Sequence, residues 1–504
     1  MGPDLAQPTA PEPSPMVPGE QAGPELSIRA VLLGVLLAAI FGAANAYLGL
    51  TAAMTVSTTF PAAVIAIAAF RLPFFRGGVL EQNIARTAAT VGEALVAAGI
   101  FTLPAFVMID LDGEHLWSSF NYWQSVAVLL IGGLLGIFFI IVMRRALTVD
   151  AKLPFPESYA CYEIVKAGQG GQSGAAYVFG AMGMGLLLEL LKNDRGLTLC
   201  QSVKEFLVNL PGVPVKLSFT SPAASPALLS VGYIIGPRYA AIAFSGGVLA
   251  WFVLIPLSLL LGHFPSDPAP DWSSLAFTAW RTQVRPIAVG AMLVGSFYTL
   301  WGLRGSLISA LGGAFRSRKA SAGAVGPLPR RERDLNLRLV LIVALLLALP
   351  SAALFYMWTH DWTGTLVATG LLMLLGFLLS VIGGWIVGLI GSSNQPVSGI
   401  TLAGLIVTGV LLLALRVTGL AGVAASLGLA VMICTAASLS GTLIQELKVG
   451  QFLGATPWKM ELAQILSTIA VAFVVIFPMI LLHQSDIATG GTGIGGKALP
   501  APQA

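Results

Sequence analysis

Charge is what this sequence has least of. Asp, Glu, Lys and Arg make up 10% of its 504 residues, against about 25% in a soluble globular domain. So few charges cannot cover a water-facing surface, so most of the chain's surface must face something apolar. Cysteine is scarce too, and Cys161, Cys200 and Cys434 have neither metal-ligand nor disulfide spacing. The four histidines (His115, His263, His360, His483) fall in loops or at the ends of apolar runs. They have no mutual spacing that would hold a metal, and they read as solvated loop residues. No His-Glu-x-x-His motif, nucleotide-binding loop or cofactor motif occurs, so no metal, no cofactor and no enzyme activity are expected. The first 28 residues contain no basic residue. A secretory signal needs a basic region before its apolar core, so this Pro-rich stretch reads as a disordered tail before an uncleaved first span.

Apolar residues, by contrast, make up 56% of the chain, and its mean hydropathy is +0.85. The fold class that follows is an all-α polytopic membrane protein embedded in the lipid bilayer. A crossing needs roughly 20 mostly apolar residues. Runs of that kind begin near 29, 51, 84, 122, 173, 284, 337, 363, 398, 420 and 461. The stretch 226–262 is too long for one crossing and is broken by "GPR" at 236–238, which makes two crossings and a total of about thirteen spans. Some are expected to be discontinuous or re-entrant.

The net charge of +4 gives no nucleic-acid signal, because the basic residues cluster in short loops between spans. By the positive-inside rule, "RRALTVDAK" (144–152) and the loop 304–338, with eight Lys or Arg, are cytoplasmic. "DLDGEH" (110–115) and "THDW" (359–362), which have none, are external. This places the N-terminus in the cytoplasm. The domain division is then a tail (1–28), a first membrane half (29–303), a basic cytoplasmic linker (304–336) and a second membrane half (337–504).

An internal repeat relates the two halves. "NAYLGLTAAM" from Asn45 and "NQPVSGITLAG" from Asn394 each start with Asn at an expected helix boundary and lead into a Thr-bearing span. "LPFPES" (153–158) and "LPAPQA" (499–504) share Leu and both prolines. Asn45 to Leu153 is 108 residues and Asn394 to Leu499 is 105 (153 − 45 and 499 − 394). The repeat is inverted or parallel depending on how 226–262 crosses, and either form points to a secondary transporter with its site between the halves. "LPFPES" opens into further spans, whereas "LPAPQA" ends the chain, so the sequence reads as C-terminally incomplete.

Several polar groups interrupt the spans. Glu93 reads as the one carboxylate well inside an apolar helix, with Arg86 and Thr90 on the same face. It either couples to protons, like other intramembrane carboxylates on ion paths, or bonds to a neighbouring helix or to Arg86. Gly34, Ala38 and Gly42 form a small-residue stripe suited to close helix contact, and Asn45 continues it, either as a site residue or as an amide bonded across that contact. "GLIGSSNQPVSGI" (388–400), containing Asn394 and Gln395, is either a site-lining loop or an exposed turn. In "LPFPESYACYEIVKAG" (153–168), two prolines precede a short polar helix bearing Glu157, Tyr159, Tyr162 and Glu163. That helix is either re-entrant or interfacial. "GQSG" (171–174) fits the pattern of an intramembrane serine protease, but no histidine lies within a span to serve as its base. An ion channel is the other alternative class, and no repeated filter sequence supports it.

Four segments together carry a family likeness. "NIARTAATVGEALVAAGIFTLPAFVM" (83–108), "LPFPESYACYEIVKAG", "SPALLSVGYIIGPRYA" (225–240, with Tyr233) and "SSNQPVSGITLAG" (392–404) resemble the oligopeptide transporter family, which includes the yellow-stripe-like metal-chelate carriers. The likeness runs from about residue 26 to 504. It implies a many-helix carrier in the plasma membrane that moves small peptides or peptide-like metal chelates, usually with protons. Family members continue past the segment similar to "LPAPQA".

Overall fold

Describable positions in the computed structural model are 13–19, 23–52, 55–111, 114–170, 174–192, 204–209, 216–221, 244–261, 272–288 and 329–496, with scattered residues between 197 and 301 and beyond 496. They fall into two units, Met1–Ser173 with Thr299–Ala504, and Gly174–Tyr298. Among the described residues, nine helices are long and apolar enough to cross a membrane. Much of the expected crossings within 226–262 and from near 284 lies outside the described residues, as do all of 304–328, His263, Cys200 and Ser173.

Three helices form the centre of the first unit: α3 (Val79–Met108), α4 (Tyr122–Arg145) and the long α13 (Gly419–Leu453). They are buried on nearly all sides. Around them pack α1 (Ile28–Ala52), α9 (Leu337–Leu346), α10 (Ala348–Thr359), α11 (Trp362–Ile390), α12 (Val397–Ala414), α14 (Pro457–Val474) and α15 (Ile476–Ala488). Small residues make the close approaches, as membrane helices without a hydrophobic drive between them require. The Gly34–Ala38–Gly42 stripe sits on α3 at Ala85, Ala88 and Gly92, and Gly132 and Gly136 of α4 sit against Met432 and Ala436 of α13. On the far side of α1, Ile28, Leu32, Leu36 and Ile40 are exposed at four-residue spacing, the stripe a lipid-facing helix presents.

Two of the expected features take a different form. The run starting near 51 is not a full span: α1 ends at Ala52, residues 55–58 are non-helical loop, and α2 (Thr59–Ala69) has only 11 residues. The side chain of Asn45 holds that loop, accepting from Val56 N at 2.7 Å and donating to Val56 O at 3.2 Å. Asn45 therefore lies inside α1 rather than at its boundary. The second is "LPFPES". Phe155, at φ +44°, donates its N–H to Gly388 O of α11 at 2.8 Å. Its helix α5 (Pro156–Gln169) starts with Glu157 fully buried. One face of this helix packs into the bundle, and its other face, with Tyr159 and Lys166, stays exposed.

One end of the first unit is tied by charge. Arg144 at the foot of α4 pairs with Asp334 at 2.5 Å, and Arg145 with Glu332 at 3.3 Å. The second half of the expected loose tail is anchored there. Met16 and Val17 donate to Phe452 O and Leu453 O, completing the C-terminus of α13. Glu25 is gripped by Arg330 at 2.7 Å and Thr456 N at 3.0 Å. At the opposite end, the Gly-rich stretch after α15 folds back. His483 Nδ1 accepts from Ile494 N at 3.0 Å and its ring stacks edge-on against Phe120. This corrects the expectation for His483, which is buried, whereas His115 and His360 are exposed. The second unit contains α6 (Gly174–Lys192), an antiparallel pair β1 (Glu205–Asn209) and β2 (Lys216–Thr220), α7 (Ile255–Leu261) and α8 (Trp272–Ala279). Ile255, Leu259, Ala276 and Ala279 form its small core.

Candidate functional site

Three breaks in helical structure meet in the first unit: the start of α2, the start of α5 and the loop 391–395 between α11 and α12. Each leaves backbone N–H groups without a partner in its own helix. At membrane depth such groups persist only where protein or a water-lined cavity satisfies them. Here carboxylates do so. Glu93 Oε2 accepts from Thr58 N at 2.6 Å and from Thr58 Oγ1 at 2.8 Å, at the head of α2. Glu157 Oε2 accepts from Ser392 N at 3.0 Å and Ser393 N at 3.4 Å, and Ser393 Oγ donates to its other oxygen.

The loop fits because its neighbours have no side chain there. Gly391, at φ +91°, lies against the Glu157 carboxyl, and Gly383 and Gly441 flank the Gln395 amide. Gln395 Nε2 donates to Ala437 O at 2.8 Å. The loop is thus wedged between α11, α13 and α5.

The remaining charges are paired inside. Arg86 forms an ion pair with Glu446, both almost fully buried, and donates to Asn83 Oδ1 at 2.7 Å. Thr59 Oγ1 donates to Glu446 Oε1 at 3.4 Å and accepts from Gln445 Nε2 at 3.3 Å. Gln445 Oε1 in turn accepts from Ser392 N at 2.8 Å. One network therefore runs from Glu93 through Thr58 and Thr59 to Glu446 and Arg86, and through Gln445 to Glu157. Glu93 lies within electrostatic reach of both Glu157 and Glu446. Between Leu80 and Ile100 every residue of α3 is buried except Glu93. Glu93 is thus the one partly exposed residue of that stretch, with its carboxylate held at Thr58.

The chain belongs to the oligopeptide transporter family. The family pattern described as OPT oligopeptide transporter protein matches residues 25–504. A protein of Haemophilus influenzae assigned as an oligopeptide transporter is 30% identical over 484 residues, which is 90% of this chain and 71% of that protein. Membership agrees with the bundle of membrane-length helices, and the chain is a multi-pass membrane protein.

Of the residues singled out in the sequence, the structure brings Arg86, Glu93, Glu157 and Gln395 into this network, with Asn45 supporting its edge through residue 56. Arg86 pairs with Glu446, not with Glu93. Glu93 is not the one carboxylate inside a span, since Glu446 and Glu461 are buried in α13 and α14. Glu163 and Tyr159 face away from the network: Glu163 pairs locally with Lys166 at 3.5 Å and Tyr159 is exposed. Tyr162 packs on Phe452 with ring centroids 5.7 Å apart. Asn394 bonds back to Ile390 O at 3.2 Å, and Tyr233 is an exposed residue of the second unit. The sequence reading missed Gln445, Glu446, Thr58 and Thr59. Their signals were the polar words "IQELK" (444–448) and "STT" (57–59) inside otherwise apolar runs.

Proposed function

We propose that this chain is a secondary active carrier that imports short peptides or peptide-like metal chelates across the plasma membrane, driven by protons, with its N-terminus in the cytoplasm. One observation carries the coupling. Among the described residues, three carboxylates (Glu93, Glu157, Glu446) share one buried network with a single guanidinium, Arg86. Even with Lys448, which lies two residues along α13 from Glu446 and donates to Thr148 O at 2.7 Å, acid outnumbers base. A surplus of buried negative charge must be matched by another charge, and a proton or the ammonium group of a peptide supplies it. Glu93, the one partly exposed residue in the inner stretch of α3, is the group placed to exchange either. The orientation is supported by the basic residues 144, 145 and 330–333, which gather at one end of α4, while the Lys-free and Arg-free loops at 110–115 and 359–362 lie at the other.

The test is uptake in proteoliposomes. Labelled tri- to hexapeptides, or an iron chelate, should accumulate only under an inward proton gradient. Glu93→Gln keeps shape and hydrogen bonding but cannot titrate, so it should abolish accumulation while substrate exchange continues. Normal gradient-driven uptake by that variant overturns the assignment of Glu93. Flux that ignores the gradient and does not saturate supports a channel instead.

A further inference from the structure

Helix α14 is arranged inside out. Its outward positions are apolar, with Leu466, Ile469 and Phe473 exposed. Glu461, Gln464 and Thr468 point into the bundle and are fully buried. These three recur at i, i+3 and i+7, on one helix face, and span about 10 Å along the axis. Among the described residues, both polar atoms of the Gln464 amide and Thr468 Oγ1 have no hydrogen-bond partner, and the Glu461 carboxyl lies within hydrogen-bonding reach of the Asp334 carboxyl. Thr87 Oγ1 is in the same condition, next to Ala88, whose carbonyl accepts from Ser467 of α14 at 2.7 Å. Protein interiors pair such atoms, and where no protein group does so the partner is ordered water making two to four hydrogen bonds.

The line of unpaired atoms starts at the charged end of the bundle. There, Glu461 Oε2 accepts from Leu335 N at 2.9 Å beside Asp334, which pairs with Arg144. These two charged groups face Glu461. Near the same level, Asn83 Nδ2 touches Met460 Sδ at 3.3 Å while its Oδ1 accepts from Arg86, the partner of Glu446. Asn83 thus stands between α14 and the network described above. We propose that the Glu461–Gln464–Thr468 face of α14 binds a short file of water, and that this file admits protons from the Asp334 end of the bundle to the Arg86–Glu446 network. The hydration rests on packing alone. The proton path rests on the carrier reading.

The experiment is X-ray hydroxyl-radical footprinting of the full chain in lipid nanodiscs, with uptake measured in parallel. Met460 is 1% exposed and oxidises readily, so it reports radicals formed from water bound beside it. Met479, equally buried and away from the file, is the dry control. Met460 should be labelled several-fold faster than Met479 in the unaltered protein. In Gln464→Leu/Thr468→Val, or in Thr468→Val alone should the double variant not fold, labelling of Met460 should fall several-fold and that of exposed residues stay constant. Equal slow labelling of both methionines in the unaltered protein overturns the water site. If labelling falls as expected but gradient-driven uptake does not slow several-fold relative to substrate exchange, the proton path is overturned and the water site stands. Absence of gradient-driven uptake by the unaltered protein refutes the carrier reading and, with it, the proton path.

Discussion

The interior network and the charged end of the bundle use the same residue types in opposite proportions. At the end, Glu25 meets Arg330 and Lys459, and Asp334 and Glu332 meet Arg144 and Arg145. Each of these three acids has a base in direct contact, and several backbone segments are tied together by them. Inside, Glu93 and Glu157 are held by N–H and O–H groups at helix starts, and only Glu446 has a guanidinium. Balanced charge at an end fastens segments and asks for nothing further. Surplus charge in the interior leaves the protein dependent on something that arrives and departs. The contrast separates the part that holds the bundle from the part proposed to carry cargo.

Breaking the interior pair should have the largest effect. Arg86→Met leaves Glu446 buried without its partner, a loss of about 3–5 kcal/mol for pairs of this kind. Purified variant should show a sharply lower melting temperature or fail to remain monodisperse. Removing both charges, in Arg86→Met/Glu446→Leu, should recover most of that stability, because an apolar pair of similar volume is close to neutral. It should not recover uptake. A single variant as stable as the unaltered protein would mean that the pair has no structural role.

The clamp at the end should give a smaller, pH-dependent effect. Burial alone would raise the Glu25 carboxyl. The hydrogen bonds from Thr456 and Arg330 and the charge of Lys459 outweigh it and hold the group below its ordinary 4.5. A group depressed on folding contributes stability that is complete above its unfolded value and is lost as pH falls through the folded one. Glu25→Gln should therefore cost about 1.5–3 kcal/mol at pH 7, the range for hydrogen bonds to a charged group. Melting curves of variant and unaltered protein should converge as the pH is lowered below 4.5. A gap that widened on acidification would refute the clamp.

The same contrast explains what the sequence made legible. Membrane helices announce themselves because 56% apolar content and long uncharged runs leave no other fold, and Glu93 stood out as a charge in such a run. The breaks were harder to see. The word "TTFPAAVIAIAAF" reads as a span, yet it forms an 11-residue helix because Asn45 and Glu93 capture the residues before it. Those captures join residues far apart in the chain, and no local pattern encodes them. Glu446 went unnoticed for a similar reason. It lies near the end of its helix, where a charge is ordinary, and only the approach of α3 makes it a buried partner of Arg86.

The smallest effect should come from the pair that resembles the others in name alone. Arg145 and Glu332 are 3.3 Å apart, but each side chain is 45% exposed. In that setting water competes for both groups, and holding two long side chains in one geometry loses entropy. Exposed pairs contribute about 0–1 kcal/mol and weaken with salt. Arg145→Ala and Glu332→Ala should each shift the melting temperature by no more than the difference between low and moderate salt. Their double-mutant cycle should give a coupling under about 0.5 kcal/mol. A coupling as large as that of Arg86 and Glu446 would show that the end of the bundle is as dry as its interior, and the division between fastening and carrying regions would fail at its simplest point.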